Sequence, residues 1–452
     1  MENSTVQKNN RREIFGWLTY DWANSVFFTT VIGALIGDYI TTLAQKAVGE
    51  NGVVLDFGMF VVTAKSIYNY SVGLSVFLQI FFLPVLGAIA DYTNLKKTFM
   101  AFFCYLGVIA CCLLFFVEGN LYLLGCALFI VANLGAGASM VFYNSFLNDI
   151  TTEDRRDKVS SYGFAAGYVS GALLLFANLM FLKNAESMGF SLETAVRICL
   201  LTAGIWWGGF ASITFWLLKS RNPARAVPAG KNYLTAGLSE LRGTFRELLK
   251  LKHTLIFLVA YLLYNDGIQT VITNAGLFLS QELFIAKGLE TDRTVLLIAF
   301  LIAQVVGFFG AITFERIARV TNAKVAILIS LVIWSGIVIY AYQFLSNVTE
   351  AYIMSGTIGF VLGGSQALSR SLFSQMIPAG RESSFFGIYE ISERGTSWIG
   401  PIVFGIVAQM TNSYRPAILA LIVFFIAGSV ILFFADTKRA IREAGNAAPE
   451  NA

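Results

Sequence analysis

Gly87-Ala88-Ile89-Ala90-Asp91-Tyr92-Thr93-Asn94-Leu95-Lys96-Lys97 closes an apolar run with a short polar turn, and its first three residues return as Gly310-Ala311-Ile312, an offset of 223. Gly163 and Gly171 recur as Gly387 and Gly395, both at an offset of 224. Offsets that agree to within one residue across unrelated positions are the mark of an internal duplication. In a membrane chain it predicts two halves with a binding site between them near the bilayer midplane.

The rest of the chain fits that reading. Hydrophobic residues make up 56% and charged residues 13%, and apolar runs of about 20 residues, the length that crosses a bilayer, recur from end to end. Twelve such runs are expected, at 16–40, 64–90, 98–118, 120–148, 159–182, 194–218, 254–281, 294–314, 323–345, 350–377, 383–411 and 414–435. The predicted fold is an all-α membrane protein of twelve transmembrane helices in two six-helix, pseudo-repeated halves, 1–218 and 253–437. A linker at 219–252 joins them and a tail follows at 438–452.

Basic residues set the expected orientation. Lys46, Lys183, Arg197, Lys287, Arg293 and Arg415 fall in loops on one side, while most of the 32 Lys and Arg lie on the other. The positive-inside rule then puts both termini and the linker in the cytoplasm, as a multi-pass protein of the cell membrane. The linker holds eight basic residues, and Leu234 to Leu251 has the pattern of an amphipathic surface helix. The five cysteines have no metal-ligand spacing and read as small core residues. With a single histidine, His253, and no Gly-rich phosphate loop, His-based catalysis, a zinc site and ATP-driven transport are not expected. No enzyme activity, metal, cofactor or nucleic-acid partner is expected; the expected contacts are membrane lipid and a small-molecule substrate, with the chain a monomer.

Four polar groups interrupt the apolar spans. Tyr20-Asp21-Trp22-Ala23-Asn24-Ser25 lies in span 1, with Asp21 roughly 9 Å deep, and Tyr264-Asn265-Asp266-Gly267-Ile268-Gln269-Thr270 lies in span 7, with Asp266 roughly 18 Å deep. Gln366 and Arg370 sit near the end of span 10; Glu390, Glu393 and Arg394 share one face of span 11. Ionisable groups in hydrocarbon cost roughly 2.5–3.5 kcal/mol each, so they face a partner, a cavity or a pathway. Asp21 and Asp266 either line the cavity or cross-link helices. Arg370 and Glu390, about 10 Å deep on neighbouring helices, are expected to pair. With Glu393 and Arg394 they form either a proton-coupling site or an inert network that fixes helix register. Pro401 is expected to kink span 11. The glycine ridges Gly163/Gly167/Gly171 and Gly359/Gly363 read as packing surfaces.

Gly87, Asp91, Lys96 and Lys97 resemble the cytoplasmic-loop signature of the major facilitator superfamily, although Tyr92 stands where a basic residue usually follows the acid. Asp91 at the C-terminal end of its helix needs a compensating partner, for which the N-terminus of span 11 is the candidate. Together with Gly364-Ser365-Gln366-Ala367-Leu368-Ser369-Arg370-Ser371, Phe385-Phe386-Gly387-Ile388-Tyr389-Glu390 and Gly395-Thr396-Ser397-Trp398-Ile399-Gly400-Pro401, the chain resembles the vacuole-effluxer-like branch of that superfamily, as a bacterial member. The resemblance implies a major facilitator fold and secondary transport of a small organic solute, an amino acid or related metabolite, by alternating access, with a proton as the candidate coupling ion. A non-transporting receptor and a lipid transporter on the same fold are the alternatives.

Overall fold

The computed structural model describes residues 8–50, 52–56, 58, 61–220, 233–391, 393 and 399–447. Ten helices among them are long and apolar enough to cross a membrane: α1 Arg11–Val48, α2 Ile67–Ala90, α3 Lys96–Phe116, α4 Tyr122–Ile150, α5 Glu153–Asn184, α6 Leu192–Leu217, α8 Lys252–Lys287, α9 Arg293–Val320, α10 Ala323–Gln343 and α14 Tyr414–Phe434. The amphipathic linker segment is a helix, α7 Tyr233–Lys250. Thr244 and Leu248 of α7 are buried and Glu247 pairs with Arg381.

The two remaining predicted spans depart from simple apolar helices. α11 Val348–Gln375 is continuous but carries Ser365, Gln366, Ser369, Arg370, Ser371, Ser374 and Gln375 in its last turns. Span 11 is described in two helical pieces. α12 Glu382–Glu390 and α13 Ile399–Thr411 flank residues 394–398, which lie outside the described residues, and the kink expected before Pro401 lies there with them. Another departure from the all-α expectation is a hairpin between α1 and α2, β1 Val53–Asp56 against antiparallel β2 Val61–Thr63. β-branched residues on both arms and Gly58 at φ 75° favour it over a helical loop.

Side-chain caps fix several helix starts. Asn10 accepts from the backbone of Arg12 and Glu13, Asn322 from Val325, Asn347 from Glu350 and Ser413 from Arg415. Within α1, Phe27–Leu35 is a π-helical stretch, beginning two turns after Asp21.

The buried apolar residues form two clusters. One is built by α1 to α6; the other by α8 to α15 (α15 is Thr437–Glu443), with Leu83, Ala138, Val141 and Leu248 joining it. Where the clusters meet, α5 lies against α9 and α11, and α2 against α12. Both chain ends sit on one face: Asn9 bonds to the carbonyl of Ile150 (2.7 Å), and the Asn446 amide bonds to the carbonyls of Gln375 and Ile377 (both 2.8 Å). We call it the terminal face.

Candidate functional site

Arg370 of α11 is 2% exposed and reaches between the clusters into a pocket made by α1, α4 and α5. Its Nη2 pairs with Asp21 Oδ2 at 3.2 Å and donates to the Ser160 carbonyl at 2.8 Å. Its Nε donates to Ser160 Oγ (2.9 Å) and its Nη1 to Asn144 Oδ1 (3.4 Å). Phe164, Trp17 and Tyr143 surround the guanidinium carbon at 4.2, 4.8 and 5.6 Å. A guanidinium stripped of water is tolerated because its fork finds fixed acceptors and its faces find π-systems. Trp17 and Tyr143 stack at 4.4 Å, and the Trp17 indole donates to the Tyr143 carbonyl (2.9 Å), which holds the cage rigid.

The ion pair therefore joins α11 to α1, where the sequence suggested Arg370 with Glu390. Asn144 links those two instead: its Nδ2 donates to Glu390 Oε1 (2.8 Å) while its Oδ1 accepts from Arg370. Toward the terminal face the same seam continues. Asn148 Nδ2 and Arg156 Nη1 donate to the Ser374 carbonyl (2.9 and 3.3 Å), and Asp157 Oδ1 accepts from Ser371 Oγ and Gln375 Nε2.

On the other edge of the interface, Asp91, just past the end of α2, caps α12. Its Oδ1 accepts from the Ser383 N–H and its Oδ2 from the Ser384 N–H, both at 2.9 Å, with the Ser384 hydroxyl also on Oδ2. A carboxylate at a helix N-terminus meets the positive end of the dipole. Burial is the largest influence on Asp91 and pushes its carboxyl above the ordinary range; the Ser384 hydroxyl and Lys96 pull it partly back. Burial likewise raises Glu382, opposed by Lys96. Gly87 abuts the backbone of Ser383 so closely that a Cβ would overlap it.

The basic pair after Asp91 splits. Lys96 is buried, paired with Asp149 at 2.8 Å and lying over the Phe146 ring; Lys97 reaches the Leu218 carbonyl at 2.6 Å. Both thus bind within the first cluster.

The other expected residues are dispersed. Asn24 is buried with its amide on Met140 Sδ (2.8 Å). Gln366, half-buried, accepts from Tyr168 OH at 3.2 Å across the interface. Gln269 is half-buried, one turn from Asn265. Asn265 donates to the Glu393 carbonyl (3.0 Å), and Asp266, fully buried, takes the Gly400 N–H on Oδ2 at 2.8 Å. Arg394 lies outside the described residues. Trp17, Asn144, Tyr143, Ser160, Phe164 and Asp157 belong to the site but were not among the sequence candidates. One sequence signal does reach Ser160: three residues before Gly163, it repeats as Ser384, three before Gly387.

Over residues 9–445 the chain matches the family described as vacuole effluxer Atg22 like. The MFS-type transporter YxiO of Bacillus subtilis is 28% identical over 436 residues, 96% of each chain. Autophagy-related protein 22 of Eremothecium gossypii is 25% identical over 483 residues, 96% of this chain and 92% of that protein. In fold, the E. coli fucose:proton symporter FucP superposes with a TM-score of 0.65 at 11% identity, over 94% of this chain and 98% of FucP. A multi-pass helical membrane chain with this fold and these relatives is a transporter rather than an enzyme, and it belongs to the vacuole effluxer Atg22-like family of the major facilitator superfamily.

Proposed function

We propose that the protein is a secondary transporter that moves a small organic solute, an amino acid or related metabolite, by alternating access between two six-helix halves, 1–218 and 253–437. On this reading α11 and the α12–α13 pair are the tenth and eleventh of twelve spans, residues 219–252 are the linker, and the terminal face is the cytoplasmic face of the cell membrane. The observation that supports it is the buried Asp21–Arg370 pair between the halves. Desolvation of both ions offsets most of their attraction, so the intact pair adds little net stability, and a pair set between the halves suits an interface that opens and recloses. On the same reading, with the seam from Gln366 to Ser384 closed at the terminal face, the solute would enter from the opposite side. The family likeness favours amino acids over sugars, and efflux over uptake.

Counterflow of a panel of radiolabelled amino acids in proteoliposomes, with and without a pH gradient, tests the reading. Saturable counterflow of at least one amino acid, lost in Asp21→Asn, is the expected result. Saturable ligand binding with no flux for any member of the panel would overturn it in favour of a receptor.

A further inference from the structure

Asp266 is a buried acid that the seam does not use. It lies roughly 20 Å along α8 from its start, near the middle of the span. Oδ2 is committed to the Gly400 N–H at 2.8 Å, but Oδ1 is buried and meets no donor. Among the described residues no Lys or Arg pairs with Asp266. Arg370, the guanidinium on the neighbouring α11, is bound by Asp21, Ser160 and Asn144. The walls are apolar or occupied. Gly267 packs beneath Phe424 and Phe425, where a Cβ would stand 3.0 Å from both rings' side chains. The Thr270 hydroxyl is spent on the Asp266 carbonyl (2.7 Å), and the Tyr264 hydroxyl on Ser369 (2.6 Å). Other titratable groups on elements packed here are Tyr261, stacked on Tyr389 at 4.6 Å, and Glu393, whose carbonyl holds Asn265; α13 has none.

A carboxylate with one capped oxygen and one orphaned oxygen in an apolar setting calls for a cation. A hard metal ion needs several oxygen ligands at once, and among the described residues this wall offers one uncommitted oxygen. We infer that Asp266 is a proton-binding site: Oδ1 takes a proton from hydronium, which leaves as water, forming an O–H bond and neutralising the group. A neutral carboxyl accepts the Gly400 N–H more weakly than the anion does, so proton loading loosens the hold of α8 on the first turn of α13. Its role as a coupling site rests on the transporter reading; its existence as a site does not.

Infrared difference spectroscopy of the purified protein during a pH titration tests it. The wild type is expected to show a carboxylic acid C=O band that is lost on alkalinisation and is missing from Asp266→Asn. An identical titrating band in Asp266→Asn, or a band moved by sodium chloride and not by pH, overturns the inference. If Asp266→Asn fails to fold, Asp266→Glu must displace the band; an unchanged spectrum in that variant overturns it too. In proteoliposomes, accumulation of the amino acid driven by a pH gradient is expected to fall at least tenfold in Asp266→Asn; undiminished accumulation counts against the site. An Asp266-dependent band in a protein that moves no amino acid of the panel would sink the transport reading and leave the site standing.

Discussion

Gly163 of α5 lies against Asp21 of α1 in the space that a side chain would need. A Cβ at Gly163 would overlap Asp21 Oδ2 and come within 3.0 Å of both Arg370 Nη2 and the Trp17 ring. The glycine ridge on α5 is thus more than a packing surface: its first member makes room for the ion pair. Gly163→Ala is expected to lower stability by about 1–3 kcal/mol through overpacking. Gly209→Ala, which meets open space, is expected to be neutral, and thermal unfolding of the two purified variants makes the comparison.

Asp21→Asn keeps hydrogen-bonding shape but removes the charge opposite Arg370. Closure of the terminal face should weaken, so that Ser374→Cys, at a position buried in the seam, reacts faster with a membrane-impermeant maleimide in the Asp21→Asn background. Equal rates would show that the pair does not hold the face shut.

Arg370→Lys is not expected to substitute for arginine. An ammonium has no planar fork to span Asp21, Ser160 and Asn144 together. Arg370→Ala should cost about 3–5 kcal/mol, and the double variant with Asp21→Ala less than the sum of the two; additive losses in a denaturation series would contradict the pairing.

Asn144→Ala removes the link between Arg370 and Glu390 and leaves the Glu390 carboxyl without its amide donor. The expected loss is about 1–3 kcal/mol. Glu390→Gln keeps an oxygen for Asn144 and should cost less, measured in the same unfolding assay.

Burial raises Asp91 in the closed conformation. A carboxyl raised above its ordinary value of about 3.9 binds its proton more tightly when capped in place than when exposed. Its contribution to closure is therefore fully present at acid pH and lost as pH rises through the raised value. Glu382, raised likewise, acts in the same direction. Maleimide reactivity of Ser374→Cys should increase between pH 4 and neutrality, by less in Asp91→Asn; an identical pH profile in both proteins would exclude Asp91 as a contributor.

Span positions were legible because twenty-residue apolar runs leave little freedom: α8 at Lys252–Lys287 and α14 at Tyr414–Phe434 lie within a few residues of where hydropathy puts them. The depth of Arg370 was legible as well, from its distance to the end of its helix. Its partner was not. Neighbouring helices in sequence suggested Glu390, but the guanidinium points across the interface to α1, a choice set by how the clusters dock and by the glycine at 163. The aromatic cage was hidden for a related reason: in a chain with 40 Phe and 18 Tyr, Phe164 and Tyr143 carry no signal until a cation is placed between them.

Gly87 rests on the backbone of Ser383, and Gly387 returns the contact on Leu83 and Pro84. α2 and α12 thus touch main chain to main chain at two points one above the other. Such a contact behaves as a bearing: one helix can roll on the other through a small angle without first unpacking a knob from its hole. If the halves alternate as proposed, the Arg370 side is the stiff part of the closed face and the α2–α12 edge the axle.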